Sequence, residues 1–319
     1  MSLKINFYQS NDTNPYNNLA RELYLYETCQ PDEVIFYLWQ NEPTVVIGKN
    51  QSANAQCELK KMEQDKVHLA RRITGGGAVY HDLGNLNFTF VAPNDLYDQD
   101  KQTKVIIDAL LLSGIQAEVS GRNDLEVEGR KFSGNAYYHG QDVSFQHGTL
   151  LLNSDLHKLA SYLKVNKEKI EKHGVDSVVS RVINLNQIKP ELTLKELEDN
   201  LVRSFRQTYN GEYSKKEFPE DALKKAAMYK NPEWLFRKEC EHNFELKGHY
   251  GWGNILIQLQ VEKQLIASAT IYSDALDPEA FNKLEAQLIR KPLPLDLKQL
   301  EFYIPILYRT DVIELLGRI

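Results

Sequence analysis

The chain has 319 residues, 42% of them hydrophobic and 26% charged, with a formal net charge of −6. Single cores tend to split beyond about 250 residues, so this length predicts two domains in a soluble globular protein. The acidic balance gives no reason to expect nucleic acid as a partner, because a phosphate backbone calls for a cationic face. Lys167, Lys169 and Lys172 read as one solvated helix face. The three cysteines, Cys29, Cys57 and Cys240, are far apart and show no C-x-x-C spacing. That excludes the usual zinc ribbons and redox pairs and fits a reducing, cytoplasmic setting. The N-terminus lacks a charged leader with an apolar core, and no apolar run reaches the roughly 20 residues of a membrane helix.

In chain order, a short opening strand is followed by a helix over Asn14 to Thr28, with Pro15 suited to its first turn. Val34 to Trp39 and Thr44 to Ile47 are β-branched and aromatic and read as strands. A helix over Glu58 to Asp65, a strand over Val67 to Ile73, a glycine-rich turn and an alternating strand over Leu86 to Val91 come next. Lys101 to Ser113 is helical. Leu125 to Val127, Lys131 to Tyr138 and Val143 to Leu152 read as successive antiparallel strands, with Glu128-Gly129 turning one hairpin. From Ser154 the pattern is mainly helical, and Thr193-Leu194-Lys195-Glu196 is a capping box for a helix reaching Tyr209. Composition shifts after Trp234. Ile255 to Val261 and Leu265 to Tyr272 form a hairpin across Glu262-Lys263-Gln264, and Asp277-Pro278-Glu279 is expected to open a further helix. The expected fold class is α+β. A large catalytic domain over residues 1–240 would hold mixed, mainly antiparallel sheets flanked by helices, with a small α+β accessory domain over 241–319.

The densest chemical signal is Arg71-Arg72-Ile73-Thr74-Gly75-Gly76-Gly77-Ala78-Val79-Tyr80-His81-Asp82-Leu83-Gly84-Asn85. Three consecutive glycines let backbone approach a ligand without Cβ obstruction, and their N–H groups can line an anion concavity. Two arginines upstream add forks suited to phosphate or carboxylate. A flexible surface loop is the plain alternative. The segment lacks the G-x-x-x-x-G-K-[ST] of a phosphate loop, and Tyr80 stands where a dinucleotide fingerprint needs its third glycine. A second cluster is Gly121-Arg122-Asn123-Asp124, then Lys131-Phe132-Ser133-Gly134-Asn135-Ala136. Asn123 and Asp124 supply oxygens that a magnesium–phosphate complex could use. Lys131 taken alone reads as a solvated edge charge, and its functional reading depends on the glycine loop. Asp82 reads as a turn-orienting residue, with magnesium the alternative. His81, His139 and His147 fit no metal-site spacing.

These two segments resemble the signatures of the lipoate–protein ligase family, within the biotin and lipoate ligase superfamily. Asn18-Leu19-Ala20-x-Glu22, Pro43-Thr44-Val45-Val46-Ile47-Gly48, His147-Gly148-Thr149-Leu150-Leu151 and Ser180-Arg181-Val182-x-Asn184-Leu185 agree further, as does Leu259-Gln260-Val261-Glu262-Lys263 in the tail. The likeness covers nearly the whole chain. It implies an enzyme that activates lipoate with ATP and magnesium to lipoyl-AMP, releasing pyrophosphate. The acyl group would then pass to a lysine of a lipoyl domain, on 2-oxoacid dehydrogenase E2 subunits or glycine cleavage H protein. It implies ATP or adenylate contacts at Arg72, Gly77, Ala78, Val79, Tyr80 and Lys131, and lipoate contacts at Gly75, Gly76 and Lys131. Lys131 would be the catalytic residue. Tyr80 replaces a frequent phenylalanine, and Gln264 replaces the glycine expected in the accessory hairpin. Two other readings stay open: a lipoyl or octanoyl transferase using a preformed donor, and a non-catalytic lipoate-binding module. The sequence leaves the choice between lipoate and octanoate undecided.

Overall fold

The computed structural model describes residues 2–121, 123–164, 181–237 and 241–319. Arg122, Lys167, Lys169, Lys172, Ser180 and Cys240 therefore lie outside the described residues. The strands are β1 (Lys4–Gln9), β2 (Glu33–Trp39), β3 (Thr44–Ile47), β4 (His68–Arg71), β5 (Val79–His81), β6 (Asn85–Pro93) and β7 (Glu118–Ser120). After them come β8 (Asp124–Val127), β9 (Arg130–His139), β10 (Val143–Leu151), β11 (Glu212–Lys215), β12 (Phe244–Tyr250), β13 (Gly253–Glu262) and β14 (Leu265–Ser273). Among the described residues they form an eight-stranded sheet, β11-β1-β2-β6-β10-β9-β8-β7, and two three-stranded sheets, β4-β3-β5 and β12-β13-β14. Only β11, β1 and β2, and the β3–β4 pair, run parallel; the other pairings are antiparallel.

β6 explains how the large sheet serves two layers. Its residues alternate between Leu86, Phe88 and Phe90 on one face and Asn85, Asn87 and Thr89 on the other. The aromatic face is covered by the helices Gln99–Leu112 and Leu194–Tyr209, whose Val105, Ile106, Leu197, Leu201 and Phe205 share its core. Phe205 is wholly buried between Phe36 and Phe90, so truncation to alanine would cost about 3–5 kcal/mol. Thr193 caps its helix by accepting from the Glu196 N–H at 3.1 Å, and Asn210 ends it in the left-handed region at φ 48°. The polar face of β6 is buried as well. It lies beneath the helix Pro15–Thr28, started by Asn14 and Pro15, and beside the small sheet β4-β3-β5.

The tail builds its own core, in which Ile257, Leu259, Ile266 and Ile271 pack against Leu284, Leu288, Val312 and Leu315. β13 and β14 join through Lys263 and Gln264, both left-handed at φ 49° and 66°, so the residue replacing glycine sits where side chains are strained. The expected helix at Asp277 is corrected: these residues make a turn, and the helix spans Asn282–Leu288. The physical reason is an outside hold. Pro278 O accepts from Asn50 Nδ2 at 2.7 Å, and Glu279 pairs with Lys49, which holds the turn against the segment that follows β3. β12 was not expected: Phe244, Leu246 and Tyr250 do alternate with polar residues, but Gly248 interrupts the apolar row and only Leu246 is fully buried.

Candidate active site

A cavity of about 150 Å³ opens between the large sheet and the glycine loop. Register places its floor. Trp39 of β2, Asn87 of β6 and Thr149 of β10 lie in one cross-strand row, and Tyr37, Thr89, His147 and Ala136 lie in the next. Leu19 and Val46 close the apolar interior, while Gly76, Gly77, Ala78 and Val79 form the facing wall. Lys131, Asn123 and Gly134 stand at the other side.

Lys131 is positioned by its backbone. Its N–H donates to Arg181 O and its carbonyl accepts from the Ile183 N–H, both at 2.9 Å, beside a bulge at Phe132 of β9. The ammonium pairs with Asp124 Oδ1 at 2.7 Å. A Cβ on Gly134 would come within 2.8 Å of Lys131 Nζ, so glycine there makes room for the ammonium. Asn123 is pinned: its Nδ2 donates to Asn135 O, and its own carbonyl accepts from the Asn135 N–H, both at 2.8 Å.

The two adjacent arginines have separate tasks. Arg71 is wholly buried and donates to the carbonyls of Gly48, Lys49, Gln51, Trp234 and Leu235, tying the chain near residue 235 to the small sheet. Arg72 lines the cavity and folds the glycine loop around itself, donating to Thr74 Oγ1 at 2.9 Å, Gly75 O at 2.7 Å and Gly77 O at 2.8 Å. Burial lowers both from the usual guanidinium value, Arg71 to about 9 and Arg72 to about 10, which leaves them cationic at neutral pH. Gly75 faces elsewhere. A Cβ there would meet Ala275 O at 2.3 Å, and the Gly76 N–H donates to the same carbonyl at 3.0 Å. The tail therefore braces the glycine loop from behind. Tyr80 is also turned away, its ring packed at a tilt against Tyr162 in a separate apolar cluster. Asp82 holds a turn: it accepts from the N–H groups of Gly84 and Asp155, each at 2.9 Å.

Behind the loop runs a buried polar chain. Arg72 Nε donates to Thr74 Oγ1, Thr74 Oγ1 meets His147 Nε2 at 2.9 Å, and His147 Nδ1 meets Glu22 Oε1 at 2.8 Å. The Thr89 hydroxyl donates to the same carboxylate at 2.7 Å and accepts from Trp39 Nε1 at 3.1 Å. With the His147 hydrogen on Nδ1, every donor in this chain has an acceptor.

Two family models match this architecture: the lipoyl protein ligase A/B catalytic domain over residues 14–206, and the bacterial lipoate protein ligase C-terminus over residues 239–296. The chain belongs to the lipoate–protein ligase family. It is 39% identical over 298 residues to lipoate-protein ligase A of Psychrobacter cryohalolentis, covering 90% of this chain and 88% of that protein. The fold superposes with a TM-score of 0.86 on the crystal structure of P. falciparum LipL1 in complex with lipoate, at 26% identity, over 99% of this chain and 100% of that one. A crystal structure of lipoate-protein ligase A bound with ATP matches at TM-score 0.65 and 26% identity, over 74% of this chain and 99% of that one.

Of the residues singled out in the sequence of this ligase, Arg72, Gly76, Gly77, Ala78, Val79, Asn123 and Lys131 line the cavity. Asp124 reaches it through its ion pair with Lys131. Trp39, His81, Asn87 and His147 also line it and were not singled out as binding residues. The signal for Asn87 and His147 was the alternation Asn85-x-Asn87-x-Thr89 opposite His147-x-Thr149, a strand face that looks solvent-exposed and is buried here.

Proposed function

We propose that this chain is an ATP-dependent lipoate–protein ligase that forms lipoyl-AMP and transfers the lipoyl group to a lysine of a carrier lipoyl domain. One observation carries the reading: a single cavity joins an apolar interior at Leu19, Trp39 and Val46 to an ammonium and a glycine loop at its mouth. An apolar acid fits the first part, and its carboxylate with a nucleotide phosphate fits the second. The relatives bound to lipoate and to ATP support both halves.

In the first step a lipoate carboxylate oxygen bonds to the α-phosphorus of ATP while the bond to pyrophosphate breaks. Lys131 neutralises the charge that grows on the phosphate oxygens, after exchanging Asp124 for phosphate. The N–H groups of Gly77, Ala78 and Val79 offer further donors, and Arg72 acts through the loop shape that it holds. In the second step the carrier amine attacks the acyl carbon and AMP leaves with the electron pair. Gly76 shapes the acyl wall; the contacts assigned to Gly75 and Tyr80 would act through the backbone, since Gly75 backs onto the tail and the Tyr80 ring is turned away. Magnesium, which commonly binds one or two carboxylates together with phosphate oxygens, fits Asp124 and Asn123 as a partner arriving with the nucleotide. It would supply charge neutralisation on the phosphates.

Residues 1–240 would then be the catalytic domain and 241–319 the accessory domain. E2 subunits and H protein are the carriers of choice, and the cytoplasm is the compartment; among the described residues no helix is long and apolar enough to cross a membrane. The test is direct. Pure protein with ATP, magnesium and lipoate should yield lipoyl-AMP and pyrophosphate by mass spectrometry, and a lipoyl domain added next should gain the acyl mass at one lysine. Failure to form the adenylate, with transfer from supplied lipoyl-AMP intact, would leave only the transferase reading.

A further inference from the structure

We infer that His81 and Asn87 form a pair of hydrogen-bond donors that recognises the ring sulfurs of the acid and so selects lipoate over an all-carbon acid such as octanoate. This rests on the reading of the cavity as the acyl site.

Both side chains line the cavity and both are buried, at 4% and 1% exposure. The tautomer of His81 is set from outside: Asn41 Nδ2 lies 3.1 Å from Nδ1 and can only donate, so the ring hydrogen is on Nε2. Burial first, then the charge of Arg72, pulls His81 down to about 3, so the imidazole is neutral at physiological pH. Asn87 is oriented in the same manner. Its Oδ1 accepts from Asn85 Nδ2 at 2.9 Å, which commits the oxygen and leaves the amide hydrogens over. Neither His81 Nε2 nor Asn87 Nδ2 has a hydrogen-bond partner among the described residues. Unsatisfied donors are rare in protein interiors, so two in one cavity wall call for an acceptor brought by a ligand.

The surroundings say which kind of acceptor. Leu19, Trp39 and Val46 make this end apolar, and the donors of Arg72 are committed to Val46, Thr74, Gly75 and Gly77. A carboxylate would be stranded here without a free cation, and it has Lys131 at the other end. Asn87 and Gly134, which abuts the Lys131 ammonium, are two strands apart across β10, about 10 Å at the usual strand spacing. An extended acid of medium chain length spans a distance of that order, which brings its far end to the donor pair. Sulfur suits the place: it is a weak acceptor that tolerates apolar walls, and it packs well against aromatic edges. Trp39 and His81 stand edge-to-face with their ring centroids 6.0 Å apart, and they offer such edges. Octanoate would bury the same donors with nothing to accept from them.

The experiment is titration calorimetry of the full chain with three acids: lipoate, octanoate, and cyclopentylpentanoate, which keeps the ring and replaces both sulfurs with carbon. The wild-type protein should bind lipoate about tenfold more tightly than the cyclopentyl acid, a modest ratio because sulfur accepts weakly. Asn87→Leu and His81→Phe each remove one donor while keeping an apolar side chain of similar size. Each should shrink that ratio toward unity without weakening the cyclopentyl acid. Equal binding of the two ring acids by the wild type overturns the inference, as does a ratio that persists in both variants. A thermal melt identifies a variant that has failed to fold, and the wild-type ratio with the other variant then decides. If wild type binds none of the three acids, the acyl-site reading falls together with this inference; if it binds them equally, the inference alone falls.

Discussion

At the mouth of the cavity Lys131 and Asp124 pair within reach of water, each about one-third exposed, while at the inner end Glu22, His147, Thr74 and Arg72 are linked out of its reach. The exposed pair is weakly held, since solvent screens such ions and many contribute little to stability. That weakness suits a lysine that must exchange a carboxylate for a phosphate during each turnover. The inner chain has the opposite character. Its groups are desolvated, so each is costly to orphan, and together they fix the floor of the cavity to the glycine loop. Mutations of the mouth pair should therefore act on rate, and mutations that break the inner polar chain on folding.

The largest expected effect tests the mouth. Lys131→Ala should lower adenylation by about 10²–10³-fold, the usual consequence of losing one preorganised charge donor. Its melting temperature should stay near that of the parent, because the pair it breaks is partly exposed. Pyrophosphate release at close to the parental rate would remove Lys131 from the chemistry.

His147→Phe tests the inner end. It leaves the Glu22 carboxylate with the Thr89 hydroxyl as its remaining partner among the described residues and strips Thr74 of its contact to the imidazole. Breaking a buried polar pair from one side costs about 3–5 kcal/mol when the orphan is charged. A loss of that order should appear in denaturant unfolding, larger than any loss from Lys131→Ala. Should the two variants prove equally stable, the contrast between the two ends would be wrong.

Much of this was legible in the sequence and some was not, for identifiable reasons. Thr193 and Glu196 announced their helix because capping is local chemistry. Glu128-Gly129 announced its hairpin because both residues must be left-handed, and they are, at φ 53° and 69°. The division of labour between Arg71 and Arg72 was not legible. Neighbours in a strand point to opposite faces, and which face meets the cavity is decided by how β4 packs, not by either residue. The burial of Asn85, Asn87 and Thr89 was not legible either. A polar face normally predicts solvent, and here the helix Pro15–Thr28 and the glycine loop cover it. Gly75 could be seen to need close approach, but the partner, a carbonyl 200 residues further on at Ala275, could not.

The smallest expected effect is the absence of one, and it separates adenylate chemistry from thiol acyl transfer. A transferase that stores its acyl group on cysteine needs a thiolate at the site. Cys29 and Cys57 are not among the residues lining the cavity, and burial pushes each thiol up to about 12, so neither is a nucleophile near neutrality. Cys57 packs with Val45, Ile47 and Met62 in an apolar cluster, where a sulfhydryl serves as a small hydrophobe. Replacing Cys29 with serine and Cys57 and Cys240 with alanine should cost about 1 kcal/mol of stability or a little more, mainly at Cys57. Lipoylation of a carrier domain with ATP and magnesium should proceed at the parental rate. A folded cysteine-free protein that cannot modify the carrier, beside a parent that accumulates an acyl thioester without ATP, would replace the ligase mechanism with a transferase.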